Sequence, residues 1–429
     1  MPQCHSAMRS GNSHALITRA ALSTINAPRL DDSIPVIALE AFLSLAKDPL
    51  REVLKWYYEL LDRKVQGTAA KRGAIAEIPK EILTTADFLA ALKLNVNCPL
   101  QYVRVLSPEE ISPDAPHDPS RAGPPGGIYV QTRQAEAIQA REILCTFSDE
   151  PDWGMDQDLF SVAQYGYGSC PFGPGHGPSS QAPFHMAFLH ENPLVMALRP
   201  SLGRSFMGVR IQLFFALAGL AMESGVDYWG WRFAAWAMHY LQDITQPYHA
   251  RPFPAARLPL LIRFILHPNP RRFAAKNENY LKNRHILFES AVHFLLNEAV
   301  KKRADHPFLR ALAGKIGSGG FQTRPYRPID LKMGLKSLMK ESSRVAADLA
   351  RQIDRTMMAL MDDPRISVPS YSLDKDRAFR IDEILPSVRE ERPDLFDDFM
   401  RLVSMCLART GEVSRYAVQV TADAGLRVK

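Results

Sequence analysis

His239 and Asp243 stand four residues apart in the run His239-Tyr-Leu-Gln-Asp-Ile-Thr-Gln-Pro-Tyr-His249. On a helix that spacing puts an imidazole and a carboxylate on one face, where they can share a metal ion. Gln246 precedes Pro247 and is biased away from helical angles. The helix is therefore expected to end near Gln246, with His249 swinging in from the loop beyond. The same pairing recurs at His285-Ile-Leu-Phe-Glu289, inside a segment that reads helical from about residue 276 to 300. Either pair alone is read more simply as a core histidine satisfied by a carboxylate. Two such pairs together with His249 point to a metal site.

The run HYLQDITQPYH, followed downstream by HILFE, resembles the signature of the zinc-dependent phospholipase C family of bacteria, which the clostridial alpha-toxin shares and to which the fungal single-strand nucleases are related. The resemblance implies an all-α enzyme that holds up to three zinc ions in a cleft and hydrolyses phosphate esters. It also implies particular ligands. GNSHALITRAAL resembles the family's first helix, whose leading His binds zinc, and this carries the role to His14. Pro151-Asp152-Trp153 resembles the segment whose Asp binds zinc beside the attacking water, so Asp152 is the choice, with Asp149 and Asp156 in reserve. The His expected shortly afterwards is His185, flanked by Phe184 and Phe188, ahead of His190 and of His176.

On this resemblance Asp152, His185, His239 and Asp243 hold one zinc. Asp243 bridges to a second held with His14, and His249, His285 and Glu289 hold the third. The nucleophile is a metal-activated water, with Asp152 as its candidate base as well as a ligand. One departure stands out. The family's mature chain begins with a Trp that completes one zinc site, and no Trp precedes His14 here; Cys4, His5 or a processed amino terminus would have to substitute. His293 continues the face of His285 and Glu289 by one turn, as an outer partner or as a plain core or surface residue.

Composition narrows the alternatives. A chain of 429 residues, 46% hydrophobic, can bury a sizeable core in one large domain or two smaller ones. Five scattered cysteines without a CxxC pair indicate neither a disulfide framework nor a cysteine-rich zinc knuckle. The net charge of +6 favours anionic partners, whether phospholipid headgroups, other phosphate esters or nucleic acid. Residues 166–183 form a Gly/Ser/Pro loop that lacks the lysine of a nucleotide cradle. The longest apolar candidate for a membrane span, Ile211 to Met222, is bounded by Arg210 and Glu223 and reads as a buried helix. Residues 1–13 lack the apolar core of a secretory signal, so a soluble, cytoplasmic chain is the default expectation.

The elements that must position these residues are helical throughout. Ser13 is a candidate cap for the first helix. Helical spacing is predicted over 34–65, 80–94, 132–145, 202–224, 227–245, 276–300, 331–361 and 395–407, with breaks at Pro364, Pro369, Pro386 and Pro393. Residues 95–127 read as an irregular Pro/Gly excursion, and His117 within it as solvated. Trp229, Phe233, Trp236 and Tyr240 recur at three- and four-residue intervals as a core stripe. The resulting division is a metal-dependent phosphodiesterase-like domain over 1–300, with an insertion at about 50–145, and a helical extension over 301–429 packed on it. Residues 251–268, apolar and dotted with arginines, read first as a short packed helix and second as a lip touching a bilayer, with Arg257 and Arg263 meeting headgroup phosphates.

Overall fold

A computed structural model describes residues 13–27, 29–65, 78–107, 110, 128–170, 180–198, 200–251, 266–268, 270–302, 305–315, 334–376 and 378–422. In chain order they form α1 (Ser13–Leu22), β1 (Ser33–Pro35), α2 (Leu39–Leu45), α3 (Lys47–Val65), α4 (Thr85–Ala91), β2 (Val103–Val105), β3 (Tyr129–Gln131), β4 (Ala137–Gln139) and α5 (Ala140–Phe147). There follow α6 (Ala182–His185), α7 (Pro193–Leu198), α8 (Met207–Glu223), α9 (Asp227–Asp243), α10 (Pro247–Ala250), α11 (Pro270–Lys302), α12 (Pro307–Leu312), α13 (Leu335–Met361), α14 (Ile381–Glu391) and α15 (Pro393–Ala422). The fold is all-α. Its sheet content, among the described residues, is two antiparallel ribbons, β1 with β4 and β2 with β3.

α9 lies at the centre. The aromatic stripe expected from its spacing is fully buried, and so is every other residue from Tyr228 to Asp243. A helix buried all round needs neighbours on every side. α8, itself apolar on all faces, returns along α9 after a turn at Gly225, whose φ of +73° suits glycine. Gly230 makes room for it: a Cβ there would meet Met222 Cγ at 2.8 Å. α5 and α15 cover further faces of α9, and α15 also packs on α1, α12 and α13. Burying Trp229, Trp231 and Trp236 contributes on the order of 3–5 kcal/mol each, on the scale of core truncations, which makes this helix a rigid carrier for His239 and Asp243.

Several elements differ from expectation. The segment 34–65 is not one helix, because Pro35 cannot donate a helical bond and Ile34 instead pairs with Ile138 in a ribbon. For the same reason the helix expected over 132–145 starts only at Ala140. Pro386 does not break the chain; it sits in the middle of α14. Pro393 opens α15, which runs on to Ala422 and is far longer than the predicted 395–407. The first helix is capped from elsewhere: the Asp149 carboxylate accepts from the backbone amides of His14 and Ala15 at 2.9 and 3.2 Å.

The core does not part at residue 300. One apolar cluster gathers Leu16, Tyr248, Leu287 and Leu295 with Ile353, Phe399 and Leu407, while Val413 and Ala417 of α15 enter the cluster around α9. The stretch Pro200–Glu223 is long and apolar enough to cross a membrane, but 83% of its most apolar window is buried inside the protein, as a core helix would be.

Candidate metal centre

Each candidate ligand is carried by a backbone that is fixed locally. α9 delivers His239 and Asp243 from its last turns. Gln246 then caps α10, its side-chain oxygen accepting from the amides of Tyr248 and His249, with Pro247 in the first helical position. His249 therefore sits on a short helix rather than in a loop. The backbone amide of Ala187 donates to the His249 carbonyl at 3.0 Å, which ties the His185 segment to α10. On α11, His285 lies under the stacked ring of Tyr248, whose hydroxyl donates to Asp354 at 2.8 Å.

Asp152 lies on the 3-10 turn Glu150–Trp153, which buried Arg232 holds at Glu150, while buried Arg210 holds the chain just beyond it at Asp156. Arg232 donates to both oxygens of Glu150, and Trp236 Nε1 donates to the same carboxylate at 2.7 Å. Arg210 donates to Asp156 at 2.9 Å and also to the carbonyls of Leu92 and Lys93 at 3.0 and 2.9 Å. Burying charge in this way is tolerable only because both partners are paired and further hydrogen-bonded.

The eight candidate ligands fall into three groups, the first two sharing His239: His14 with His239 and Asp243; Asp152 with His185 and His239; and His249 with His285 and Glu289. Around Asp243 Oδ2 lie His185 Nδ1 at 2.8 Å and His239 Nε2 at 3.2 Å. Asp152 Oδ1 is 3.6 Å and 3.7 Å from the same two nitrogens. The other oxygen of Asp243 faces His14 Nε2 at 3.6 Å and His249 Nδ1 at 3.1 Å. In the third group His285 Nε2 is 2.9 Å from Glu289 Oε1 and 3.1 Å from His249 Nε2. Donors bound to one tetrahedral ion at zinc distances stand about 3.3 Å apart, and these separations lie on either side of that value.

Three further observations fit a metal. His239 Nδ1 donates to the Ser148 carbonyl at 2.7 Å, which leaves Nε2 with its lone pair toward Asp152, His185 and Asp243. His14 Nδ1 meets Gln242 Oε1 at 2.8 Å and presents Nε2 in the same way. His249 Nδ1 lies 3.1 Å from Asp243 Oδ1 yet has no hydrogen-bond partner, which is how two ligands of one cation face each other. The donors are imidazoles and carboxylates without thiolate, a set suited to zinc and to several other divalent ions. The groups can hold a metal ion; its identity is open.

The electrostatics agree. Burial favours a neutral Asp243, but His249 and His239 outweigh it and hold the carboxyl well below its ordinary range. Burial opposes charge on His249, yet Asp243 and Glu289 push it up to about 9. His185 is raised by Asp156 and Asp243 against the same burial penalty, whereas burial together with His239 takes His14 down to about 4. A cluster of ionised carboxylates thus demands positive charge in the middle of the protein, and a metal taking that place expels protons.

All eight residues singled out from the sequence meet here. The two reserve carboxylates stand behind these residues: Asp149 caps α1 and accepts from the Tyr129 hydroxyl, and Asp156 pairs with Arg210 through one oxygen while the other lies 3.5 Å from His185 Nε2. His190 turns away, its Nε2 at 2.7 Å from the Lys340 carbonyl. His293 Nδ1 lies 3.0 Å from the Ser13 hydroxyl and so joins α11 to the start of α1. Cys4, His5, His117, His176, Arg257 and Arg263 lie outside the described residues. From the sequence, Gln242 carried no role and Gln246 only that of ending the helix, although both stand within the signature beside its candidate ligands. Gln246 Nε2 lies 2.9 Å from His285 Nε2 and donates to Glu289 at 3.1 Å. Compared with known proteins, the chain matches no family model, no curated protein and no solved structure.

Proposed function

We propose that this protein is a zinc-dependent phosphoric ester hydrolase of the phospholipase C type, acting on phospholipids. The observation that supports the reading most is the position of Asp243, whose two oxygens face four imidazoles of three ligand groups. Zinc bound there would supply a water that ionises near neutral pH and would offset charge on the phosphoryl oxygens.

The burial of the ligands gives the direction from which substrate would come. His239, His185, His249 and Asp243 have side chains no more than 5% exposed and form the floor. Asp152 is the most open at 25%, with Glu289 at 16% and His14 and His285 at 12%. A phosphate ester approaching from that side meets Asp152 first among the carboxylates. Asp152 is then placed to accept the proton of the attacking water while its other oxygen stays with His185 and His239. The rigid carriage of Asp243 on α9 keeps the groups at fixed separation, which an in-line displacement at phosphorus requires.

The net charge of +6 favours a second reading, cleavage of single-stranded nucleic acid by the same groups. Contact with a bilayer through residues 251–268 belongs to the first reading and rests on sequence alone. The test is metal analysis of the purified protein combined with hydrolysis of a chromogenic phosphocholine ester, phosphatidylcholine vesicles and single-stranded DNA. Three zinc equivalents with turnover of the choline lipids are expected. Faster turnover of the DNA would establish the nuclease reading, and one or two equivalents without any turnover would leave an inert metal-stabilised scaffold.

A further inference from the structure

Gln242 sits between the two ligands of α9, is 2% exposed, and uses every hydrogen-bonding position of its amide except one lone pair. Its Nε2 donates to Thr18 Oγ1 at 2.8 Å and to Ser414 Oγ at 3.0 Å, while Oε1 faces His14 Nδ1 at 2.8 Å. The two hydroxyls have their own protons committed. Ser414 donates to the Thr410 carbonyl at 2.8 Å, and Thr18 donates to Ser148 Oγ at 3.1 Å, which passes its proton to the Cys145 carbonyl at 3.0 Å. Both hydroxyls therefore turn a lone pair toward Gln242 and call for the amide nitrogen there.

Turning the amide around would take the Ser414 and Thr18 protons from those acceptors and leave one amide hydrogen unpaired in the core. The network thus has one low-energy polarity. With Oε1 toward His14, the imidazole must carry its proton on Nδ1 and aim the Nε2 lone pair at Asp243 and Asp152. Thr18 and Ser414 are both fully buried, so water does not scramble the arrangement.

We infer that Gln242 is a positioning residue that sets the tautomer of His14, and that α15 closes this lock through Ser414 and so forms part of the metal centre. The inference rests on the metal-site reading for its purpose, though not for its geometry. It gives the C-terminal helix a direct task at a site whose candidate ligands all come from residues 14–289.

Long-range proton–nitrogen NMR of the full chain, labelled with ¹⁵N-histidine and stripped of metal, reads the tautomer directly; the His14 signals are those lost in His14→Asn. The wild type is expected to show the Nδ1–H form. Gln242→Met should mix the two tautomers, and Gln242→Glu, which can still accept from Nδ1, should restore the wild-type pattern. Should Gln242→Met fail to fold, Thr18→Val combined with Ser414→Ala leaves Gln242 in place, frees its amide to turn, and should mix the tautomers likewise. A proton on Nε2 in the wild type, or an unchanged pattern in the Met variant, would overturn the inference. In a zinc titration against a competing chelator, Gln242→Met should weaken one zinc by roughly 10–100-fold and leave the others alone. A wild type that takes up no zinc at all would remove the functional reading, and the tautomer would still decide this one.

Discussion

At the scale of single residues, Asp243 carries the greatest consequence, because it stands at the joint of the groups. Asp243→Asn should remove more than one metal equivalent and lower phosphodiester turnover by well over 100-fold, beyond the roughly 10–100-fold effect of an outer partner; metal analysis and a chromogenic substrate check both. His190→Ala, by contrast, should leave metal content at the wild-type level, since that side chain faces the Lys340 carbonyl. Why the sequence pointed to the candidate ligands and not to their supports is a matter of spacing. His239 and Asp243, or His285 and Glu289, announce themselves through a four-residue interval on a helix. Gln242 and Ser414 lie 172 positions apart and meet only through the packing of two helices, which no local period encodes.

Among the elements, the contact of α12 with α15 leaves no slack. A Cβ on Gly411 would stand 2.1 Å from the Leu312 carbonyl oxygen, a backbone atom that cannot rotate aside. Gly411→Ala should cost about 1–3 kcal/mol or more in urea denaturation, as overpacked cores do. The 3-10 turn under Asp152 makes a second prediction. Glu150→Gln leaves Arg232 buried without its counter-charge and should destabilise the fold by about 3–5 kcal/mol, with weaker metal uptake in the same variant. The helices α8 and α9 were legible because apolar residues fill them on all sides. The ribbons were not: Ser33–Pro35 and Ala137–Gln139 are three residues each, too short to set up a period of two, and they owe their form to one another across the chain.

For the molecule as a whole, the helices beyond residue 300 share the core of those before it, since α15 packs against α1 and α9 and contributes to both large apolar clusters. Deleting residues 393–429 should therefore yield a chain without cooperative unfolding or bound metal, as judged by circular dichroism and metal analysis, rather than a free-standing site domain. Metal itself should stabilise the intact protein: at a free concentration 100 times Kd, one ion contributes about 2.7 kcal/mol, so a chelator should lower Tm. The sequence indicated a packed extension but not how deeply it enters the core, because a stretch of helical pattern looks alike whether it flanks a core or completes it. The segment from residue 50 to 145, which reads as an insertion, is tied in as well, through the carbonyls of Leu92 and Lys93 that grip Arg210. Every amino acid offers a carbonyl, so Arg210 depends on the length and path of this stretch, while the core depends on the buried Leu92 and Lys93 side chains themselves. Lys93 holds a left-handed φ of 54°, where glycine would rest more easily, but its buried amine donates to the Gln164 carbonyl at 3.1 Å, so Lys93→Gly exchanges that bond for backbone relief, whereas removing a single residue beside it would pull the guanidinium's anchors out of reach.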